Sequence, residues 1–160
     1  MKEILLTQGK VALVDDEDFE RINQHKWYAY NNHGYQWYAR REIKKPNGKR
    51  TTQCMHRVIM KVKKGQELDH RNHDGLDNRK CNLRICTRAQ NSMNRKKQRE
   101  TSSRYKGVDW LKQRNKWRAR IKVNQKSIHL GCFLLEPDAA KAYDAKAKEL
   151  FGEFAYFNFQ

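Results

Sequence analysis

Four polar residues near the middle of the chain, Asp69, His70, Asn82 and Asn91, have types suited to acting on a phosphate ester. An imidazole with a pKa of about 6.5 can accept a proton from water at neutral pH. Carboxylate and amide oxygens suit a hard divalent cation such as Mg²⁺, which would neutralise a phosphate and stabilise a leaving alkoxide. If folding gathers these side chains, the set predicts metal-assisted hydrolysis. In the alternative interpretation they belong to a polar loop with asparagines in its turns.

Two short strands, a loop and a helix must position these residues. Residues 68–70 are typical of the end of a strand, and residues 72–78 are rich in turn-forming types. Residues 82–86 predict a second strand, and the pattern Thr-Arg-Ala-Gln at 87–90 is a capping box that opens a helix. The predicted unit is therefore strand, loop, strand, helix.

Positive charge is concentrated in one stretch of the chain. The 160 residues carry 35 Lys+Arg and 18 Asp+Glu, a formal net charge of +17. Residues 79–122 hold 16 of the basic and 2 of the acidic side chains, whereas 123–160 are net −1. This asymmetry indicates a polyanion-binding surface. A membrane-surface helix would need an apolar face that this stretch lacks, so the remaining alternative is a solvated surface.

A strand with a cationic face is predicted inside that stretch. Residues 116–123 alternate strictly between basic and apolar types, which is typical of a half-buried strand. The basic face carries Lys116, Arg118, Arg120 and Lys122. Residues 127–133 return as another strand, and 136–150 have the periodicity of a helix. Because four like charges in a row repel each other, the face favours DNA or RNA over plain solvation.

The remaining segments are predicted as scaffold and linker. Residues 10–14 indicate a strand and 16–27 a helix, and turn signals at 32–34 and 46–48 suggest hairpins. The polar segment 98–103 lacks apolar periodicity and is the best linker candidate. We therefore expect one domain over 1–95, with its core at about 67–95, a linker over 96–102, and a second domain over 103–160.

Several classes of protein are excluded by composition. No run reaches the roughly 18 apolar residues of a membrane span, and the first 20 residues lack the apolar core of a secretory signal. We expect a soluble, cytoplasmic protein without a small-molecule cofactor. Its four cysteines, which include no Cys-x-x-Cys pair, are expected to be reduced thiols. Zinc bound with His70 and His73 is the less favoured alternative.

The central motif resembles the His-Asn-Asn variant of the HNH, or ββα-metal, endonucleases. The resemblance is carried by His70, Asn82 and Asn91, with Asp69 before the histidine. The phrases MHRVIM and LDHRNHDGLDNRKCNLRICTRAQN resemble the phage and intron-encoded homing type. Many relatives carry a third histidine where this chain has Asn91, which leaves the choice between Mg²⁺ and Mn²⁺ open.

The C-terminal segment resembles a second family. The phrases SRYKGVDWLKQRNKWRARI and LGCFLLEPDAAKAYDAKAKELFGEFAYFNF are similar to an Apetala-two/ethylene-response-factor DNA-binding domain. The two resemblances together cover about two-thirds of the chain. They imply an α+β protein, with an N-terminal ββα-metal domain and a small C-terminal three-stranded antiparallel sheet packed on one helix.

The first resemblance implies roles for the central residues. His70 would be the general base that activates water, and Asn82 would orient His70 and hold the loop. Asp69 and Asn91 would bind a single Mg²⁺ or Mn²⁺. Products of this family carry 5′-phosphate and 3′-hydroxyl ends. His56 is interpreted as a packing or phosphate-contact residue rather than a second base, and His73 as a loop residue rather than a ligand.

The second resemblance implies that the sheet enters the major groove of double-stranded DNA. Arginine can read guanine with two hydrogen bonds, whereas lysine mostly contacts phosphate. Arg118 and Arg120 are therefore the leading contacts. The supporting candidates are Lys106, Trp110, Lys112, Arg114, Lys116 and Lys122. Plant regulators carry arginine where this chain has Asp109, so their target sequence does not transfer.

The resulting prediction is a site-specific endonuclease of homing type, phage-encoded or from a prokaryotic host. One alternative is a DNA-binding protein whose nuclease half is only scaffold. Another is an RNA-binding protein, because a cationic sheet with aromatic residues also serves RNA. The sequence leaves the target site, nicking or double-strand cutting, and the oligomeric state open.

Overall fold

A computed structural model describes residues 1–63, 65–97 and 102–159 of the chain. The chain divides into two units, residues 1–88 and 89–160. Most of the linker expected at 96–102 lies outside the described residues. The domain limits expected from the sequence therefore stay a prediction. Small antiparallel sheets and a few helices agree with the mixed α and β class.

An antiparallel hairpin and a helix open the first unit. Strand β1 (Lys2–Leu5) pairs with β2 (Val11–Val14), the strand expected at 10–14. Helix α1 (Asp16–Asn23) follows. Three acidic residues in its first turn stabilise it by their interaction with the positive end of the helix dipole. The helix is shorter than the predicted 16–27. It ends early because Trp27 folds back into the core, where its Nε1 donates to the Ile22 carbonyl at 2.8 Å.

A three-stranded antiparallel meander forms the main sheet of this unit. Its strands β3 (Tyr28–Asn31), β4 (Trp37–Lys44) and β5 (Arg50–Cys54) lie in chain order. The two connections contain the predicted turns, which confirms both hairpins. Helix α2 (Met55–Ile59) follows directly and packs against β4 and β5.

The strands that carry the central motif form a separate hairpin. Strand β6 (Glu67–His70) pairs antiparallel with β7 (Leu83–Cys86), and helix α3 (Arg88–Met93) begins two residues after β7. The predicted order of strand, loop, strand and helix is therefore present. Leu83 joins the first unit's core, whose buried residues are Ile4, Leu6, Ala12, Val14, Ile22, Trp27, Ala29, Ala39, Met55, Ile59 and Leu83.

The second unit contains an antiparallel sheet and a long helix. Strand β9 (Lys116–Val123) is central, between β8 (Val108–Leu111) and β10 (Lys126–Phe133). Helix α4 (Glu136–Phe151) packs on the sheet. Its buried alanines let the backbone lie close to the strands. The apolar residues buried between sheet and helix include Val108, Ala119, Ile121, Ala139, Ala140, Tyr143, Ala147 and Phe151.

Two close contacts hold this unit together. Gly107 has a φ of +76°, and a Cβ atom there would lie 2.0 Å from the Tyr143 ring, so only glycine fits. The Asp144 carboxylate accepts from the backbone N–H groups of Asn158 at 2.9 Å and Phe159 at 3.0 Å. The C-terminal segment is thereby tied to α4. No helix in the described ranges is long and apolar enough to cross a membrane.

Candidate active site

Asp69 and His70 lie at the buried end of β6. Their exposed fractions are 8% and 5%. Across the hairpin, Asp69 faces Arg84 and His70 faces Leu83. Because Leu83 is part of the hydrophobic core, packing holds the strand end that carries the imidazole.

The Asp69 carboxylate forms a buried ion pair with Arg84. Arg84 donates to Asp69 Oδ2 from Nε at 2.9 Å and from Nη2 at 2.6 Å. Both side chains are more than nine-tenths buried. The guanidinium compensates the charge of a carboxylate that would otherwise be costly to bury.

Asn82 holds the loop between the two strands. Its Nδ2 donates to the Asp77 carbonyl at 2.8 Å, and its Oδ1 accepts from the Asn72 backbone N–H at 3.0 Å. Both ends of the amide are therefore used to fold residues 71–82 back on themselves. This geometry fits the loop-holding part of the role expected for Asn82.

Asp77 is a second organising residue of the loop. Its carboxylate accepts from Arg79 Nε and Nη2, both at 2.7 Å, and from Asn72 Nδ2 at 2.9 Å. The hydrogen bonds from Arg79 hold the pKa of Asp77 below its usual value. The carboxylate is therefore ionised in the folded protein and keeps its donors in place.

Backbone bonds attach the same loop to β2. Leu13 donates from its N–H to the Leu76 carbonyl at 2.9 Å and accepts from the Asn78 N–H, also at 2.9 Å. Loop position is thus set by the sheet rather than by the loop sequence alone.

The rings of Tyr38 and His56 lie next to the imidazole of His70. The ring centroids of His56 and His70 are 5.0 Å apart in an edge-to-face arrangement, and Tyr38 lies 5.8 Å from His56 and 5.9 Å from His70. Tyr38 comes from β4 and His56 from α2, so both elements contribute to the wall around the imidazole. These ring contacts agree with the first of the two roles expected for His56, packing or phosphate contact.

The loop passes close over β4 at Gly75. A Cβ atom there would lie 2.4 Å from the Trp37 carbonyl oxygen and 2.7 Å from the Tyr38 ring. Two hydrogen bonds also lead from Tyr38 on β4 to the same loop. Tyr38 Oη donates to Gln36 Oε1 at 3.0 Å, and Gln36 Nε2 donates to the His73 carbonyl at 2.9 Å. His73 thus lies in the loop, as predicted, and its carbonyl accepts one of the hydrogen bonds that hold the loop in place.

Burial keeps both imidazoles neutral. It lowers the pKa of His70, an effect partly offset by a side-chain hydrogen bond with Asn78 and by the carboxylates of Asp69, Asp74 and Asp77. It lowers the pKa of His56 to about 3, helped by the neighbouring His70. A neutral imidazole has a lone pair with which to accept a proton.

Asn91 lies half-buried on α3, within the unit 89–160. The structure therefore brings together Asp69, His70 and Asn82, and the place of Asn91 beside them stays a prediction. Among the described residues, no group of three or more His, Cys, Asp or Glu side chains could hold a metal ion. One carboxylate and one amide, completed by water and phosphate oxygens, still fit a hard divalent cation.

Most of the predicted DNA contacts lie on one face of the second unit. In β9, Ala119 and Ile121 are buried and the basic residues occupy the other face. Lys112 and Arg114 are exposed in the turn between β8 and β9. The basic residues of β9 are Lys116, Arg118, Arg120 and Lys122.

Trp110 and Lys106 lie elsewhere. Trp110 is the cross-strand partner of Trp117, with ring centroids 4.9 Å apart, so both are on the face opposite the basic side chains. Lys106 Nζ donates to the carbonyls of Met93 at 2.6 Å and Arg95 at 2.7 Å. Burial lowers the pKa of Lys106 to about 8. Its ammonium is engaged by the protein's own backbone.

Three residues around His70 were not anticipated: Tyr38, Asn78 and Arg84. Arg84 could have been found by pairing the two predicted strands, because an antiparallel hairpin puts it opposite Asp69. Asn78 stands in the turn-rich loop with no feature to separate it from its neighbours. Tyr38 is more than 30 residues away from His70, and no local pattern joins them.

Comparison with known proteins agrees with this site. A family model described as HNH endonuclease matches residues 54–93, which include all four central residues. The uncharacterized HNH endonuclease L560 of Acanthamoeba polyphaga mimivirus is 31% identical over 154 residues, covering 92% of this chain and 74% of that protein. Protein 3.8 of Escherichia phage T7 is 31% identical over 96 residues, 60% of this chain and 78% of that protein. No solved structure matches the chain. With a relative of this identity and coverage, the chain belongs to the HNH endonuclease family.

Proposed function

We propose that the protein is a site-specific DNA endonuclease of homing type that hydrolyses phosphodiester bonds. The observation that carries the proposal is the placement of His70. It is a buried, neutral imidazole beside an acidic residue at the end of β6, within the segment that matches the family. A base placed in this way can take a proton from an attacking water.

The surrounding residues have distinct tasks in this proposal. His70 accepts the proton of the water, and the rings of Tyr38 and His56 pack against the imidazole. Asn82 keeps the loop closed through its bonds to the backbone of residues 72 and 77. Arg84 fixes the Asp69 carboxylate beside the base.

HNH nucleases generally use a divalent metal, and the donors expected to hold it here are Asp69 and Asn91. Mg²⁺ or Mn²⁺, when bound, would neutralise the scissile phosphate and stabilise the leaving oxygen. Arg84 donates to Oδ2 of Asp69, and these hydrogen bonds would restrict the rotation of a carboxylate that serves as a metal ligand.

The second unit is proposed to place the nuclease on double-stranded DNA. Its sheet resembles the Apetala-two/ethylene-response-factor type in strand number and in the helix packed on it. The basic side chains of β9 can neutralise phosphates, and the guanidinium groups of its arginines can donate hydrogen bonds to base edges.

Incubation of supercoiled plasmid with the full chain tests the proposal. Wild-type protein is expected to give nicked or linear DNA with Mg²⁺ or Mn²⁺ and none with EDTA. His70→Ala should abolish the product while duplex binding is retained. His25→Ala is a matched control, because this histidine is exposed and lies outside the site.

The result also separates the proposal from its main alternative. Wild-type binding to duplex DNA without cutting, with either metal and over varied sequences, would favour a DNA-binding protein with a non-catalytic HNH scaffold. Equal product from wild type and His70→Ala would contradict the role of His70.

A further inference from the structure

An acidic residue lies in the middle of the otherwise cationic face of the second unit. Asp109 is the cross-strand partner of Arg118, so both side chains lie on the same face of the sheet. Arg118 Nη2 donates to Asp109 Oδ2 at 2.7 Å. On the other side, Arg120 Nε lies 3.0 Å from Asp109 Oδ1. One carboxylate thus bridges two guanidinium groups, using a different oxygen for each.

This bridge is only partly open to water. The Asp109 side chain is 21% exposed, that of Arg118 32% and that of Arg120 52%. An ion pair on a fully exposed surface orders its side chains weakly. Here the carboxylate is mostly covered, and it accepts a hydrogen bond from Arg118 and forms an ion pair with Arg120.

The arginines keep hydrogen-bond donors beyond those engaged by Asp109. Arg118 Nε is buried and makes no hydrogen bond among the described residues, so the donors that Arg118 can offer to a ligand are on its terminal nitrogens. Arg120 is half exposed and pairs with Asp109 through Nε, so its two terminal nitrogens are not used by that ion pair. Two parallel N–H donors of a guanidinium match the O6 and N7 acceptors of guanine.

A depression in the sheet surface lies beside these groups. It has a volume of about 440 Å³, and its lining includes Arg118 and Arg120 from β9 and His129 and Cys132 from β10. Backbone register puts His129 opposite Arg120 and Cys132 opposite Arg118. The two arginines therefore line a depression on this face of the sheet.

We propose that Asp109 is a specificity-determining residue that positions Arg118 and Arg120 to read guanine in duplex DNA. The inference rests on the proposed DNA-binding function of the second unit and adds which residue makes that binding selective. Asp109 carries negative charge, so it weakens attraction to phosphate in general. It strengthens discrimination, because arginines held in one orientation lose less freedom on binding the right base.

The charge of Asp109 lowers affinity for DNA in general, whereas its positioning of the arginines raises selectivity. One substitution can therefore separate the two effects. Asp109→Asn removes the charge while keeping the size of the side chain. Affinity for random duplex DNA should stay the same or become tighter. The ratio of affinity for a preferred duplex over random duplex should fall about fivefold or more, the discrimination carried by one bidentate contact. A merely destabilised sheet would lose affinity for both.

The experiment uses the full chain in EDTA, so that binding is measured without cleavage. A preferred duplex is selected from a random duplex library with the wild-type protein, and dissociation constants are measured for that duplex and for the library. The preferred duplex is then remade with 7-deazaguanine, which lacks the N7 acceptor. This replacement should weaken wild-type binding and affect Asp109→Asn much less.

Asp138→Asn is the matched control. It makes the same charge change on α4, where the carboxylate lies 3.6 Å from Lys141 and is 48% exposed. Its affinity ratio should equal that of the wild type. An unchanged ratio and unchanged 7-deazaguanine sensitivity in Asp109→Asn would overturn the inference alone. A wild-type chain that selects no duplex would overturn the proposed DNA-targeting function, and this inference with it.

Discussion

Arg84 and Asp69 face each other across the β6–β7 hairpin and form a buried ion pair, in which Nε and Nη2 of Arg84 donate to Oδ2 of Asp69. The residue before the proposed general base is thus held by a strand neighbour. This pairing links the stability of the hairpin to the arrangement of the site, because removing either side chain takes an opposite charge away from a buried ionic group.

Arg84→Met should lower the free energy of unfolding of residues 1–88 by about 3 kcal/mol, because it leaves the Asp69 carboxylate buried without its guanidinium. Hydrogen exchange at graded urea concentrations would measure the change within this unit. The double variant Asp69→Leu, Arg84→Met should recover much of the loss without recovering cleavage. A double variant no more stable than Arg84→Met would contradict the pairing energy assigned here.

Stability should depend on acid pH through Asp77. Hydrogen bonds from Arg79 lower the pKa of Asp77 in the folded protein, whereas the unfolded chain has a value of about 3.9. The stabilisation is present above the unfolded pKa and is lost as pH falls toward the folded pKa. Urea unfolding at pH 7, 4 and 3 should therefore show a steeper loss in wild type than in Asp77→Asn. Glu3→Gln, at an exposed position, is the control. If the free energy of unfolding fell with pH equally steeply in wild type and in Asp77→Asn, the assignment to Asp77 would be refuted.

Gly75→Ala should impair cleavage without impairing DNA binding. The new methyl group would collide with the Trp37 carbonyl and the Tyr38 ring, and would push the loop away from the site. We expect at least a tenfold lower rate of plasmid nicking, with an unchanged dissociation constant for duplex DNA. Gly34→Ala is the control, because open space surrounds that glycine and only its positive φ is disturbed. Cleavage by Gly75→Ala at the wild-type rate would show that the loop tolerates the displacement.

Lys106 and Lys116 should behave differently on substitution by methionine. Lys106→Met removes an ammonium that donates to the carbonyls of Met93 and Arg95, so it should lower stability and leave the salt dependence of DNA binding unchanged. Lys116→Met alters an exposed position on the cationic face, so it should reduce the slope of log affinity against log salt by about 1. Equal slopes in the two variants would contradict this division.

Local patterns were enough to predict many elements of the chain. Turn residues at 32–34 and 46–48 located both hairpins, since these residue types favour tight reversals wherever they stand. The alternation at 116–123 predicted the strand and its buried face, because side chains in a strand alternate with a period of two. The central motif also indicated the order of strand, loop, strand and helix from neighbouring residues alone.

Contacts between distant segments were decided only by the tertiary structure. Trp110 stands in a strand of four residues whose types do not alternate, and pairing with Trp117 puts it on the face away from the arginines. The same register puts Asp109 beside Arg118, and the fold brings Tyr38 and His56 to His70. Strand register and ring packing depend on which segments share a core, and a shift of one residue reverses every side chain. Residue types along the chain thus supply the groups available for chemistry, and the packing of separate strands selects which of these groups meet.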